Sequence, residues 1–364
     1  MPDISPPLEY QIYDPERHEI RVVVIQPPKR RYWLHAVLLL ATVVTTLCVG
    51  ARMQWNFNNN FPLFSSDVSQ DLDYWPWQWA LQDWRRLLLG IPFSASLLSI
   101  LFAHEMGHFV TAVRRRVYAT LPYFIPAPTL IGTLGAFIRI KSPIRSRSDL
   151  FDIGIGGPIA GFVVAVPVLF WGLLLSKPMT PQAADVDLAF GMPLSFTLAH
   201  RLLAVAGNVL ARHFSLSQIY LHPVAIAAWV GMFATSLNLL PGGQLDGGHI
   251  IFAWRPEWHR RVSMLSITVL LALSWWLWAG WFIWAIVLRV TGSRHPDVPP
   301  SPPLDRKRLG LAFFALLMLV LSISPVAFRE RDDDTKQLKN SSLKTELENW
   351  RKQRMDKQHQ QPAP

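Results

Sequence analysis

Two scarcities frame this chain. A single cysteine, Cys48, among 364 residues excludes an intrachain disulfide and leaves no thiolate cluster for a metal. Charge is also thin, at 16% of residues against about 25% in an average soluble domain. Acidic side chains are the scarcer sign, 25 against 35 Lys and Arg, which gives a net charge of +10. What is abundant is apolar: 51% of residues are hydrophobic, with 16 Trp and 20 Phe. That balance excludes a disordered chain and argues against an ordinary cytosolic enzyme. The Lys and Arg cluster at the ends of apolar blocks, as on the cytoplasmic flanks of membrane spans. No basic stripe is interleaved with aromatics, so nucleic acid is not an expected partner.

The blocks are long enough to cross a bilayer. The fold expected is an all-α polytopic membrane protein of about six transmembrane segments. A short membrane-associated β-hairpin is expected after the second span. The N-terminus carries acidic residues and prolines, so it reads as neither a signal nor a transit peptide. Residues 1–31 form a cytoplasmic arm ending in Lys29, Arg30 and Arg31, and Trp33–Gly50 is the first span. Residues 51–86 form an outer loop with five Trp, suited to the headgroup zone. Leu87–Val113 is the second span, closed by Arg114, Arg115 and Arg116. Three prolines and two glycines break up 117–140, where alternation in GTLGAFIRI predicts strands. Ile153–Leu175 is the third span, opening on a glycine stripe suited to close packing in lipid. Residues 176–221 lie outside, with an amphipathic helix along Leu198, Leu202, Val205, Val209 and Phe214. Pro223–Leu240 is the fourth span. Val262–Leu288 is either one tilted helix or a hairpin; the five basic residues after it favour the hairpin. Leu309–Phe328 is the last span, before a charged tail.

Chemistry concentrates in two places. FAHEMGHF, in the second span, contains HExxH: His104, Glu105 and His108. Residues four apart share a helix face, so His104 and His108 can bind one metal ion, with Glu105 beside it as general base. Imidazoles and a carboxylate inside an apolar span are costly unless they have work to do. A tetrahedral zinc site needs a further protein ligand. Asp246 in PGGQLDGGH is the best candidate, because irregular backbone at membrane depth must line a cavity or be buried in protein. His108 is six residues from Arg114, about 9 Å along a helix. Asp246 is nine residues from Arg255, at most about 14 Å, so the two depths are compatible. The competing role for Asp246 is a helix N-cap. His249 is the rival third ligand. Asn238 can donate to a scissile carbonyl or bond a neighbouring helix.

HEMGH in one span and NLLPGGQLDGGH in a later one resemble the site-2 protease family of intramembrane zinc metalloproteases, which pairs HExxH with an N-x2-P-x4-DG motif (here Asn238, Pro241, Asp246, Gly247). GTLGAFIRIKSPI, LFDIGIGGPIAGF and RHPDVPPSPPLDRKR resemble its bacterial and chloroplast branch, and the resemblance covers roughly 87–328. It implies Zn2+ held by His104, His108 and Asp246, Glu105 as base, and Asn238 holding substrate. Gly132, Thr133 and Gly135 would then lie on a membrane-embedded hairpin against the substrate peptide. The implied substrates are transmembrane proteins within the lipid bilayer. The implied place is integral to a membrane, the bacterial cytoplasmic membrane in the first instance, with the site near the cytoplasmic face. No PDZ-like insert or nucleotide-sensing module is expected. The implied organisation is an arm at 1–31, a first span and Trp-rich loop at 32–86, and a protease core at 87–292. A Pro-rich linker and last span follow at 293–328, then a charged tail at 329–364. Two other readings stay open: a non-catalytic zinc carrier or adaptor, and a protease with a soluble catalytic domain using Glu257 as third ligand.

Overall fold

The computed structural model describes residues 8–14, 19–25, 31–63, 77–180, 183, 188–291, 298–299 and 301–330. The charged tail and Trp75 of the outer loop lie outside these residues. Helix α1 (Tyr32–Asn59) runs nine residues past the expected end of the first span, so Trp55 is helical. Short helices α2 (Trp77–Leu81) and α3 (Trp84–Leu87) lead into α4 (Ile91–Arg114), which carries HExxH. Then come strands β3 (Tyr123–Pro126) and β4 (Thr133–Phe137), paired antiparallel as the hairpin expected after the second span. Helix α5 (Arg147–Leu175) is capped by Ser146, whose Oγ accepts from the Asp149 amide.

The chain is not purely helical. Strands β1 (Leu8–Asp14) and β2 (Glu19–Ile25) form a second hairpin, within the segment read as a bare arm. Outside the helices, β5 (Lys177–Pro178) pairs with β7 (Ile219–Tyr220), and β6 (Leu188–Phe190) with β8 (Phe328–Glu330). Between them the single amphipathic helix expected is instead two, α6 (Leu194–Val205) and α7 (Val209–His213), which turn Leu198, Leu202, Val205 and Val209 outward, while Phe214, past the end of α7, is buried.

Helix α8 (Pro223–Asn238) is the central post, buried along nearly its whole length and packed on α4 and α5. A break at Leu239–Leu245 leads to α9 (Asp246–Trp254) and α10 (Pro256–Trp276). The chain turns at 277–279 into α11 (Gly280–Thr291), so the ambiguous apolar stretch is a hairpin. Last comes α12 (Arg306–Ser322), which ends six residues before the expected Phe328; the chain then joins the β6 strand.

Among the described residues, three helical stretches are long and apolar enough to cross a membrane: Tyr32–Asn59, Trp84–Arg114 and Arg147–Leu175. The expected count of about six is not established by these helices. At 16 and 17 residues, α8 and α12 reach only about 24–26 Å against a hydrocarbon core of about 30 Å. Large apolar side chains such as Leu40, Phe102, Val163 and Trp171 face outward from the long helices, as lipid contact demands.

Candidate metal centre

The HExxH spacing does in α4 what helical periodicity requires. His104 and His108 lie one turn apart on the buried face, with ring centroids 4.9 Å from each other. Asp246 arrives from the first turn of α9. The residue in the capping position is Leu245, and no side chain caps this helix, so the N-cap role for Asp246 is replaced by another. Its Oδ2 lies 3.3 Å from His104 Nε2 and 3.3 Å from His108 Nε2. One ligand atom from each of the three residues falls within 4.8 Å of the others.

These distances fit a metal. Donors about 2.0–2.1 Å from a tetrahedral zinc stand about 3.3 Å apart. The tautomer agrees as well. His108 Nδ1 is 2.7 Å from the Ile153 carbonyl, which can only accept, so Nδ1 carries the proton. In the neutral ring Nε2 is then a bare lone pair facing a carboxylate oxygen. Two acceptors at that separation repel, and a cation held by both removes the conflict. A carbonyl partner that sets the ring tautomer is the usual support for a metal-bound histidine. The donor set of two imidazoles and one carboxylate is a zinc set.

Glu105 is buried one step round the helix, and its carboxylate faces the backbone of Ile138, just past β4. The hairpin therefore meets the HExxH helix beside the residue expected to act as base. Asn238, the last residue of α8, places Nδ2 3.3 Å from His104 Nε2, so the amide borders the cluster.

The other hairpin residues serve the hairpin itself. Gly132 has φ +78°, and its carbonyl accepts from Thr45 Oγ1 of α1 at 2.6 Å. Thr133 is buried, its Oγ1 donating to the Ile125 carbonyl at 2.8 Å. Gly135, at φ +97°, has open space where a side chain would stand. The rival ligands stay apart from the cluster. The side chain of His249 starts against Gly154 of α5, and Glu257 is exposed beside Arg255.

The glycine stripe of α5 does more than bring helices together. A Cβ on Gly157 would fall on the His108 imidazole, and one on Gly161 would stand 3.1 Å from His104 Nδ1. Gly107, inside HEMGH, meets the Gly156 carbonyl with no room for a side chain. From sequence alone the α5 stripe of Gly154, Gly156, Gly157 and Gly161 reads as packing; the floor beneath the imidazoles is visible only once α4 and α5 are docked.

A family model described as peptidase family M50 matches residues 92–277, which contain all of these groups. The chain is 32% identical over 242 residues to a protein of Arabidopsis thaliana named "Probable zinc metalloprotease EGY1, chloroplastic", covering 65% of this chain and 43% of that one. Another Arabidopsis thaliana protein, "Probable zinc metalloprotease EGY2, chloroplastic", is 29% identical over 276 residues, covering 75% of this chain and 47% of that one. The rice (Oryza sativa subsp. japonica) protein named as EGY1 is 35% identical over 171 residues, 44% of this chain and 28% of that one. The chain thus spans less than half the length of these relatives.

Proposed function

Because this chain belongs to peptidase family M50, the family of site-2 proteases, we propose that it is a zinc-dependent intramembrane endopeptidase. It would hydrolyse peptide bonds within or near transmembrane segments of other membrane proteins. The observation that carries this reading is the meeting of His104, His108 and Asp246 around one point, with Glu105 adjacent on a helix apolar enough to cross a bilayer. Zinc held by these three residues would polarise the scissile carbonyl and lower the pKa of a bound water to about 7. Glu105 takes a proton from the attacking water at its carboxylate and passes it to the leaving nitrogen. Asn238 donates its amide to the substrate carbonyl as negative charge develops there.

A peptide bond inside a helix is closed to attack, so the substrate must unwind. Strand β4 is paired only to β3 in its two-stranded sheet, and its other edge can take an extended peptide by strand addition. Gly132, Thr133 and Gly135 would shape that edge. The partners of this reading are a transmembrane protein substrate and the lipid bilayer, with no role for nucleic acid. The relatives are named as chloroplastic, which weighs against the bacterial cytoplasmic membrane expected from the sequence. The chain itself supports a bilayer with the site towards the basic ends of α4 and α5. The division into arm, first span with loop, core at 87–292, linker with last span, and tail is retained as part of the proposal.

A zinc carrier or adaptor would have no use for Glu105 at this point. The deciding variant is Glu105→Gln in the detergent-solubilised full chain. It should retain zinc, by metal analysis, while losing cleavage of a transmembrane substrate by roughly 10²–10⁴-fold, the range for loss of a general base. Cleavage at the wild-type rate would end the proposal.

A further inference from the structure

The Asp246 carboxylate is placed by a loop that lacks the regular hydrogen bonds of a helix. Residues Leu239–Leu245 join α8 to α9 in the interior of the molecule. Backbone groups at that depth need partners from within the protein. One face of α10 supplies them. His259, Ser263 and Ser266, spaced by four and three residues, form a stripe along a helix whose other faces are largely apolar.

Each makes a specific bond to the loop. His259 Nε2 donates to the Gly243 carbonyl at 3.0 Å, and Ser263 Oγ accepts from the Gly243 amide at 3.2 Å. Both backbone groups of one residue are therefore held by side chains of one helix. Ser266 Oγ donates to the Pro241 carbonyl at 2.7 Å. Gly243 is the residue that reverses the chain, at φ +57°, and it lies three positions before Asp246. Its carbonyl also closes against Gly248, where a Cβ would collide with it, so the position of Gly243 sets where α9 begins. His259 and Ser263 are buried, and the ring of Phe252 on α9 stands edge-on to the His259 ring at 5.7 Å.

We propose that His259, Ser263 and Ser266 are positioning residues for the metal centre: by gripping Pro241 and Gly243 they fix the Asp246 carboxylate against the two imidazoles. The inference rests on reading His104, His108 and Asp246 as metal ligands, and extends it to a helix that contributes no ligand. Outer groups that orient a ligand commonly govern about 10–100-fold in metal affinity. Here the support acts through the backbone that presents the ligand.

The test uses the full chain in detergent, zinc affinity by chelator competition, and the visible spectrum of the cobalt-substituted protein. Ser263→Ala and His259→Leu should each weaken zinc binding by about tenfold or more and shift the cobalt bands, as a displaced carboxylate changes the ligand field. His259→Gln, which keeps a donor near the Nε2 position, should recover most of the affinity. Thr268→Ala is the control on the same helix, since among the described residues Thr268 bonds its own helix backbone, at Met264. If folded Ser263→Ala and His259→Leu proteins bind zinc within twofold of wild type, with unchanged cobalt spectra, the positioning role is overturned. Ser263→Ala removes one hydroxyl and keeps the inference testable should the histidine variant not fold. Asp246→Ala separates the two layers: if it leaves zinc affinity intact, the ligand assignment fails rather than the bracket.

Discussion

A methyl group at position 157 would occupy space belonging to the His108 ring. Gly157→Ala should therefore drive the imidazole off its axis, although alanine is the better helix former by about 1 kcal/mol. The expected outcome is a helical protein with zinc content reduced at least about tenfold, measured by metal analysis beside circular dichroism. A different single-residue effect arises on the opposite side, at His222. Its Nδ1 accepts the Val224 amide and caps α8, which requires a neutral ring. Burial foremost, then the Lys177 ammonium, pushes its pKa down from the ordinary 6.5 to about 4. The unfolded chain takes up this proton first as pH falls. Stability from His222 is thus present above pH 6.5 and declines between 6.5 and about 4. His222→Asn, which caps without titrating, should flatten the fall of Tm across that window.

The sequence was most informative at this scale where chemistry is local. His104, Glu105 and His108 are legible because helical spacing alone puts them together. Asp246 could be picked out because an acid beside two helix-ending glycines at membrane depth has few other uses. Gly157, the Ile153 carbonyl and His259 were not legible as parts of the site. Their roles exist only across helix–helix contacts, and nothing in a single helix's pattern marks them.

Among elements, the β3–β4 hairpin is held to α1 by the bond from Thr45 Oγ1 to the Gly132 carbonyl, and β4 lies against α4. Thr45→Val keeps the side-chain shape and deletes the hydroxyl. On the proposed activity it should raise KM for a transmembrane substrate several-fold with zinc content unchanged, a split that steady-state kinetics and metal analysis resolve together. The hairpin was predictable from its alternation and glycines. The break of 262–288 into α10 and α11 was foreshadowed by the basic residues that follow it. Span number was not: α8 has the apolarity of a span without the length, and it is buried among other helices rather than matched to lipid. The β1–β2 hairpin was not legible because the prolines and charges around it point to an arm, and β2 runs Val22–Ile25 without alternation.

Across the whole molecule, an ionic clasp ties the ends of three helices. Arg308, at the start of α12, makes two bonds of 2.8 Å to the Asp152 carboxylate of α5, and Arg115, closing α4, pairs with the same carboxylate. Asp305 caps α12 and bonds Arg308 as well. Fork-to-carboxylate bonds of this kind are the stronger sort of ion pair, and losing Arg308 would leave Asp152 with Arg115 alone. Arg308→Ala should lower Tm by several degrees, more at low salt than at high, in a thermal scan of the solubilised protein. From this clasp α12 leads on to Phe328–Glu330, which pair with β6.

The shallow seat of the HExxH pair would decide the fate of the fragments. With His108 about 9 Å from the arginine edge, a scission there leaves one product with only about six residues of greasy stub, too little to moor it. The other product would keep most of its spanning length and stay behind. On the proposed activity, an off-centre blade of this sort would give release a direction: cargo tethered on the arginine side would be set free, and cargo on the far side would remain tied down.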